Sequence, residues 1–117
     1  MSGIVGTSHS KSKVIGRSQD TASAWVLFNG TGTIAIRKSF NVSALIDHNT
    51  GQYGITFTSA IADTNAVIVG NAERQNQQGE NFVPVAGNTT TTGCLFYCRE
   101  DDGDWLDSPY CHVMVFN

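Results

Sequence analysis

The chain has 117 residues, 40% hydrophobic and only 15% charged, which suits one domain with a single core and a surface far less charged than usual. Its net charge of −3 argues against nucleic acid as a main partner. Residues 1–20 lack the continuous apolar run of a secretory leader, and no stretch reaches the length of a membrane helix, so neither export by the usual route nor membrane insertion is expected.

The first 22 residues read as an arm. Lys11, Lys13 and Arg17 against Asp20 give residues 1–20 a charge of +2, while the remainder carries four basic and nine acidic groups, for −5. A basic arm on an acidic body is a docking device by charge steering, or a solubilising tail. Two apolar clips, Gly3-Ile4-Val5-Gly6 and Val14-Ile15-Gly16, interrupt its Ser/Lys-rich sequence. The anchoring candidates are thus Ile4, Val5, Lys11, Lys13, Val14, Ile15 and Arg17, each clip being suited to a groove or a sheet edge on a neighbour. A disordered tail is the alternative.

From Ser23 to Asn117 the pattern is that of strands. Residues 24–28 are a dense β-forming run with Trp25 and Phe28 as core candidates, and Asn29-Gly30-Thr31-Gly32 is a turn leading into residues 33–37, a hairpin. Residues 40–46 form the next strand, Asp47 to Gly51 a second turn. Residues 52–58 then alternate cleanly, with Tyr53, Ile55 and Phe57 on one face. Residues 59–65 are the one helix candidate. Residues 66–70 read as a buried strand and 73–81 as a long polar loop. Residues 82–85 are a short strand in which Pro84, lacking an N–H, belongs at an edge or bulge. Strands over residues 94–98 and 110–116 flank an acidic turn at 100–107.

Seven or eight short strands and little helical periodicity indicate an all-β fold. We expect an antiparallel β-sandwich, jelly-roll-like, over residues 23–117, with residues 1–22 as an extended arm. So many strands leave sheet edges with unpaired N–H and C=O groups, and beyond the arm Lys38 is the sole lysine available to blunt them. Pairing with sister copies solves this, so an oligomer is expected.

Little here supports catalysis. The imidazoles are His9, His48 and His112, and no nucleophile elbow, zinc-protease helix motif or phosphate loop is present. No enzyme activity and no cofactor are expected. Cys94 and Cys98 share a strand face, about 13 Å apart, too far to share a metal. A Cys3His zinc site with Cys111 and His112 therefore gives way to buried thiols. A disulfide between Cys98 and Cys111 on paired strands is the other reading. Asp101, Asp102, Asp104 and Asp107 crowd one turn, but not at the spacing of a calcium loop. The recognition candidates lie in two loops: Arg74, Gln75, Asn76 and Gln77 in the first, Asp104 and Trp105 in the second, with Tyr110 beside it. Aromatic faces beside planar polar groups suit sugars; plain surface loops, with Trp105 tucked against the body, are the alternative.

Residues 24–43 resemble a recurring module of bacteriophage tail-fibre and related virion proteins. The pattern is W-x-x-F-[ND]-G-x-G-T-x-x-I-R-x-S-[FY]-N-V-S, here Trp25 to Ser43. A second stretch, T-G-x-Y-x-x-x-F-T-x-A, runs from Thr50 to Ala60. The run at 66–70, the closing Val113-Met114-Val115-Phe116 and the opening residues 3–6 with 14–18 are also similar. The resemblance covers about residues 1–70 and the last few. It implies a virion protein made in a host cytoplasm, a tail-fibre or spike module for host attachment through a surface glycan or protein. A homotrimer held to other virion proteins by its arm is the natural form for a fibre. A capsid decoration, cement or tail connector protein is the structural alternative. The resemblance brings no catalytic residues.

Overall fold

A computed structural model describes residues 22–73, 82–100 and 103–117. Eight strands follow in order: β1 (Ala24–Asn29), β2 (Ala35–Phe40), β3 (Val42–Asn49), β4 (Gln52–Phe57), β5 (Val67–Ala72), β6 (Phe82–Thr90), β7 (Gly93–Glu100) and β8 (Cys111–Phe116). They form two four-stranded antiparallel sheets, ordered β2-β1-β8-β5 (sheet A) and β3-β4-β7-β6 (sheet B). The arm candidates Ile4, Val5, Lys11, Lys13, Val14, Ile15 and Arg17 lie outside the described residues.

The two sheets are held together by the inward half of each alternating strand. In β1 these are Ala24, Val26 and Phe28; in β4 Tyr53, Ile55 and Phe57; in β7 Cys94, Phe96 and Cys98; in β8 Cys111, Val113 and Val115. At the centre Phe28 meets Tyr53 and Phe96 edge-on across the layers, at ring centroid distances of 5.1 and 6.2 Å, a favourable aromatic geometry. Trp25 does not join Phe28 in this core as expected. The two are three residues apart, so the strand's period of two turns Trp25 onto the outer face of sheet A, where it is half-buried.

Phe40 and Val42 do not share a strand. Asn41 intervenes in the left-handed region (φ 57) and swings the chain from β2 in sheet A to β3 in sheet B. Its side chain holds the corner: Nδ2 donates to Ser23 O (3.1 Å) and Ser59 O (3.0 Å), and Oδ1 accepts from Ser59 N (2.8 Å). Asparagine tolerates this conformation better than most residues.

The helix expected over 59–65 is absent. This link crosses the end of the body as bends, because its amides are taken from outside. Ile61 N donates to Thr91 O, and Ala62 N donates to the Asn117 side chain, while Ile61 itself is buried against the core. The run at 66–70 is a strand, but not a buried one: β5 is the edge of sheet A and leaves Val67 and Val69 exposed. An apolar run reads as buried on both faces only when the sheet is covered on both. Pro84 lies in β6, an edge strand, where its missing N–H faces no neighbour.

Cys98 and Cys111 do meet, but from opposite sheets rather than on paired strands. Their sulfurs are 4.0 Å apart as free, fully buried thiols. The Cys111 contact and burial raise the Cys98 thiol far above its ordinary pKa. Burial alone pushes Cys94 up to about 11. Cys94 and Cys98 are neutral packing groups at pH 7, and Cys111 is buried against Cys98. The Cys3His zinc arrangement is divided, since Cys111 faces the core and His112, its neighbour, is exposed on the outer face.

Candidate recognition surface

Antiparallel pairing places every odd strand's end and every even strand's start at one pole of the body. The turns after β1 and β3, the end of β5, the start of β6 and residues 103–110 all fall there. The chain enters β1 at the opposite pole, beside the 58–66 link and the β6–β7 turn.

The loop from Gly103 to Tyr110 is tied to this pole by a buried polar knot. The Tyr53 hydroxyl, 0% exposed, shares its proton between Asp107 Oδ1 (2.8 Å) and Gly30 O (3.0 Å). The same Asp107 oxygen accepts from Gly51 N (2.8 Å). Burial, then the contact with Asp107, raises the Tyr53 phenol well above its ordinary pKa, so it stays a donor throughout the physiological range. Ser108, fully buried, donates its hydroxyl to Glu73 O, and its own carbonyl accepts from Gly30 N (2.8 Å). Two glycines make the fit. A Cβ at Gly30 would run into the Tyr53 hydroxyl. Gly51 has φ +69, and a Cβ there would meet the Cys98 carbonyl and the Leu106 amide. Asp107 is thereby turned inward, away from the acidic turn it was grouped with. Asp101 and Asp102 lie outside the described residues.

On this platform stand two aromatic–guanidinium pairs. In the first, residues 104–106 continue the position of β4 beside β7: Trp105 bridges Arg99, and Leu106 N donates to Cys98 O (3.2 Å). The Trp105 ring sits edge-on to Tyr97 at 5.6 Å, with the Arg99 guanidinium 5.8 Å from its centroid, and remains 40% exposed. Asp104 precedes it, its carbonyl accepting from Glu100 N (2.8 Å). In the second pair the Arg37 guanidinium lies 4.2 Å above the Tyr110 ring and donates through Nε and Nη2 to Pro109 O (3.2 and 3.0 Å). Arg37 is the extra residue of a β-bulge, since Leu27 pairs with Lys38 and Phe28 with Ile36. The bulge re-aims the side chain toward the loop.

Asp104, Trp105 and Tyr110 thus stand at one pole, but Trp105 belongs to the outer side of sheet B and Tyr110 to that of sheet A. Arg74, Gln75, Asn76 and Gln77 lie outside the described residues. Tyr97, Arg99 and Arg37 were not anticipated. The alternation of β7 carried a signal for the first two, because Phe96 and Cys98 inward require Tyr97 and Arg99 outward. A separate open groove of about 230 Å3 runs mid-sheet on the outer side of sheet B, between Ile46, His48, Thr56, Thr90, Thr92 and Leu95, over Gly54 and Gly93. Apart from His48 and the buried thiol of Cys94 no ionisable side chain lines it, so we favour the aromatic pole as the site. Among the described residues no three of His, Cys, Asp and Glu converge on a point where a metal would sit.

The aromatic pole can bind by stacking. Half-exposed rings beside guanidinium groups accept the apolar face of a sugar while the polar groups meet its hydroxyls. Each guanidinium over its ring contributes about 0.5–1 kcal/mol of ordering at an exposed position, so the rings are preorganised. Set against known protein families, characterised proteins and solved structures, the chain matches none of them.

Proposed function

We propose that this chain is a bacteriophage virion module of the tail-fibre or spike kind, which attaches to a host-surface glycan through its aromatic pole. The observation that carries this is the two-ended layout. The exposed aromatic–guanidinium pairs and the connections beside them gather at one pole, and the basic N-terminal segment joins the body at the other. A fibre tip needs that polarity: anchorage at one end, recognition at the other. The resemblance of residues 24–43 and 50–60 to the phage module supports the setting. A homotrimer fits it, and the sheet edges and apolar outer faces leave surface for sister copies. A jelly-roll-like topology belongs to the same reading, and the pairing of the first and last strands, β1 and β8, in the middle of one sheet supports it. No enzyme activity and no cofactor enter this reading.

The test uses the full-length protein on an array of bacterial surface polysaccharides. Binding should fall about tenfold in Trp105→Ala, the worth of one stacked ring, and vanish when residues 74–80 are deleted. Unchanged binding in both variants would remove the attachment role. It would favour the purely structural alternative, a capsid decoration, cement or connector protein.

A further inference from the structure

The register of sheet A leads to a second surface, away from the aromatic pole. Phe40 pairs with Trp25, Trp25 with Met114, and Met114 with Val69. These four share the outer face, so one apolar row crosses all four strands. Val67 and Phe116, paired in the next outward row, extend it. Phe40 is 53% exposed, Val67 63%, Val69 47% and Met114 43%. With half-buried Trp25, Leu27 and Phe116 the patch is on the order of 400 Å2, as large as the biggest that ordinary monomers leave bare. The four strands of this sheet contain two formal charges, Arg37 and Lys38. Arg37 is turned onto Tyr110 and Pro109. Lys38 and the one bulge at Arg37, both on β2, are thus the guards that the four strands of this sheet carry against association.

We infer that the outer face of sheet A is the surface through which this chain binds a second copy of itself. The inference rests on the self-association in the reading above and names where it happens. Three features favour a second copy over an unrelated partner. The face carries its own knob and its own hole: exposed Phe40 stands beside a hollow of about 210 Å3 between Trp25, Leu27, His112 and Met114. A surface with both halves of a contact is self-complementary, and a repeated copy closes it into a dimer or a ring. With no acidic side chain on these four strands, nothing there selects a basic partner, and Lys38 is the lone outward cation a mate must clear. Finally, the apolar patch is about half of the 800 Å2 per subunit of a standard interface. The polar rim of Lys38, His112 and Asn71 completes it in the usual pattern of apolar centre and wet border.

The test is sedimentation of the full-length chain across a range of concentrations, beside the double variant Phe40→Lys/Val69→Lys. Both positions are exposed, and they lie at opposite ends of the row, so the lysines do not crowd each other. Near-UV circular dichroism checks that the variant is folded; Met114→Lys is the alternative if it is not. The native chain should be oligomeric. The row variant should dissociate with an affinity loss of about 100-fold or more. Ile46→Lys, exposed on the outer face of sheet B, should leave the assembly unchanged. A native monomer overturns the inference together with the self-association it rests on. An oligomer that survives the row substitutions overturns the inference alone and moves the contact elsewhere, leaving the glycan-binding test of the aromatic pole untouched.

Discussion

Replacing Tyr53 with Phe tests the buried knot that holds the recognition loop. The substitution keeps the ring, which is fully buried and 5.1 Å from Phe28, so no cavity forms. It removes one hydroxyl, and with it the contacts to Asp107 Oδ1 at 2.8 Å and Gly30 O at 3.0 Å. Asp107 keeps Gly51 N as a donor, while Gly30 O loses the Tyr53 hydroxyl. A hydrogen bond to a charged acceptor contributes about 1.5–3 kcal/mol, and a buried carbonyl left without its donor adds about 1. The expected loss is therefore about 2–4 kcal/mol. For a body of this size that lowers Tm by roughly 10–20 °C. Urea unfolding at pH 7 and one fixed protein concentration should show a lower midpoint with the slope unchanged. The pH profile gives an independent check. The folded state raises the Tyr53 pKa, so its contribution is complete below the unfolded value of about 10 and declines as pH rises past that value. The native protein should lose stability there, and Tyr53→Phe should lack that component. A loss under about 0.5 kcal/mol, within the range of surface substitutions, would falsify the claim that this hydroxyl ties the loop to the body.

Gly51→Ala should cost about 2–4 kcal/mol in chemical denaturation, because φ +69 disfavours a Cβ and the added methyl meets the Cys98 carbonyl; a neutral result would mean that the turn relaxes freely. The three cysteines should resist an aromatic disulfide reagent in the native protein at pH 7 and react fully in denaturant, since all are buried; rapid native labelling would contradict the core described above. Burial pushes the Cys94 thiol up to about 11 from its ordinary 9.0. Its contribution to stability is thus complete below pH 9 and lost as pH climbs from there toward 11, and Cys94→Ala should remove that part of the alkaline transition.

How these surfaces arise separates what is local from what is not. The period of two in Tyr53, Ile55 and Phe57 assigned β4 and its inward face, and the same rule applied to Cys94 and Cys98 gave the correct common face. Pro84 marked an edge, because a missing N–H has one consequence whatever surrounds it. Glycine-bearing segments at 29–32 and 50–51 located both early hairpins. These are properties of a residue and its near neighbours.

Other features belong to the pairing of distant strands. Nothing local to Val67 or Val69 reveals that β5 ends a sheet; only the order β2-β1-β8-β5 exposes them. The 59–65 segment has enough helical character to compete, but Thr91 and Asn117, far along the chain, claim its amides. Asp107 looked like one carboxylate in an acidic turn until Tyr53 and Gly51, more than fifty residues earlier, came within hydrogen-bonding distance. The row Phe40–Trp25–Met114–Val69 draws its members from four strands. By itself the sequence determined that the described body is built of strands, where several of them turn, and which side chains face together within each. Sheet order, the buried knot and the apolar face came only with tertiary structure, because each depends on which strands lie side by side, and the alternation within a strand is the same whatever its neighbour.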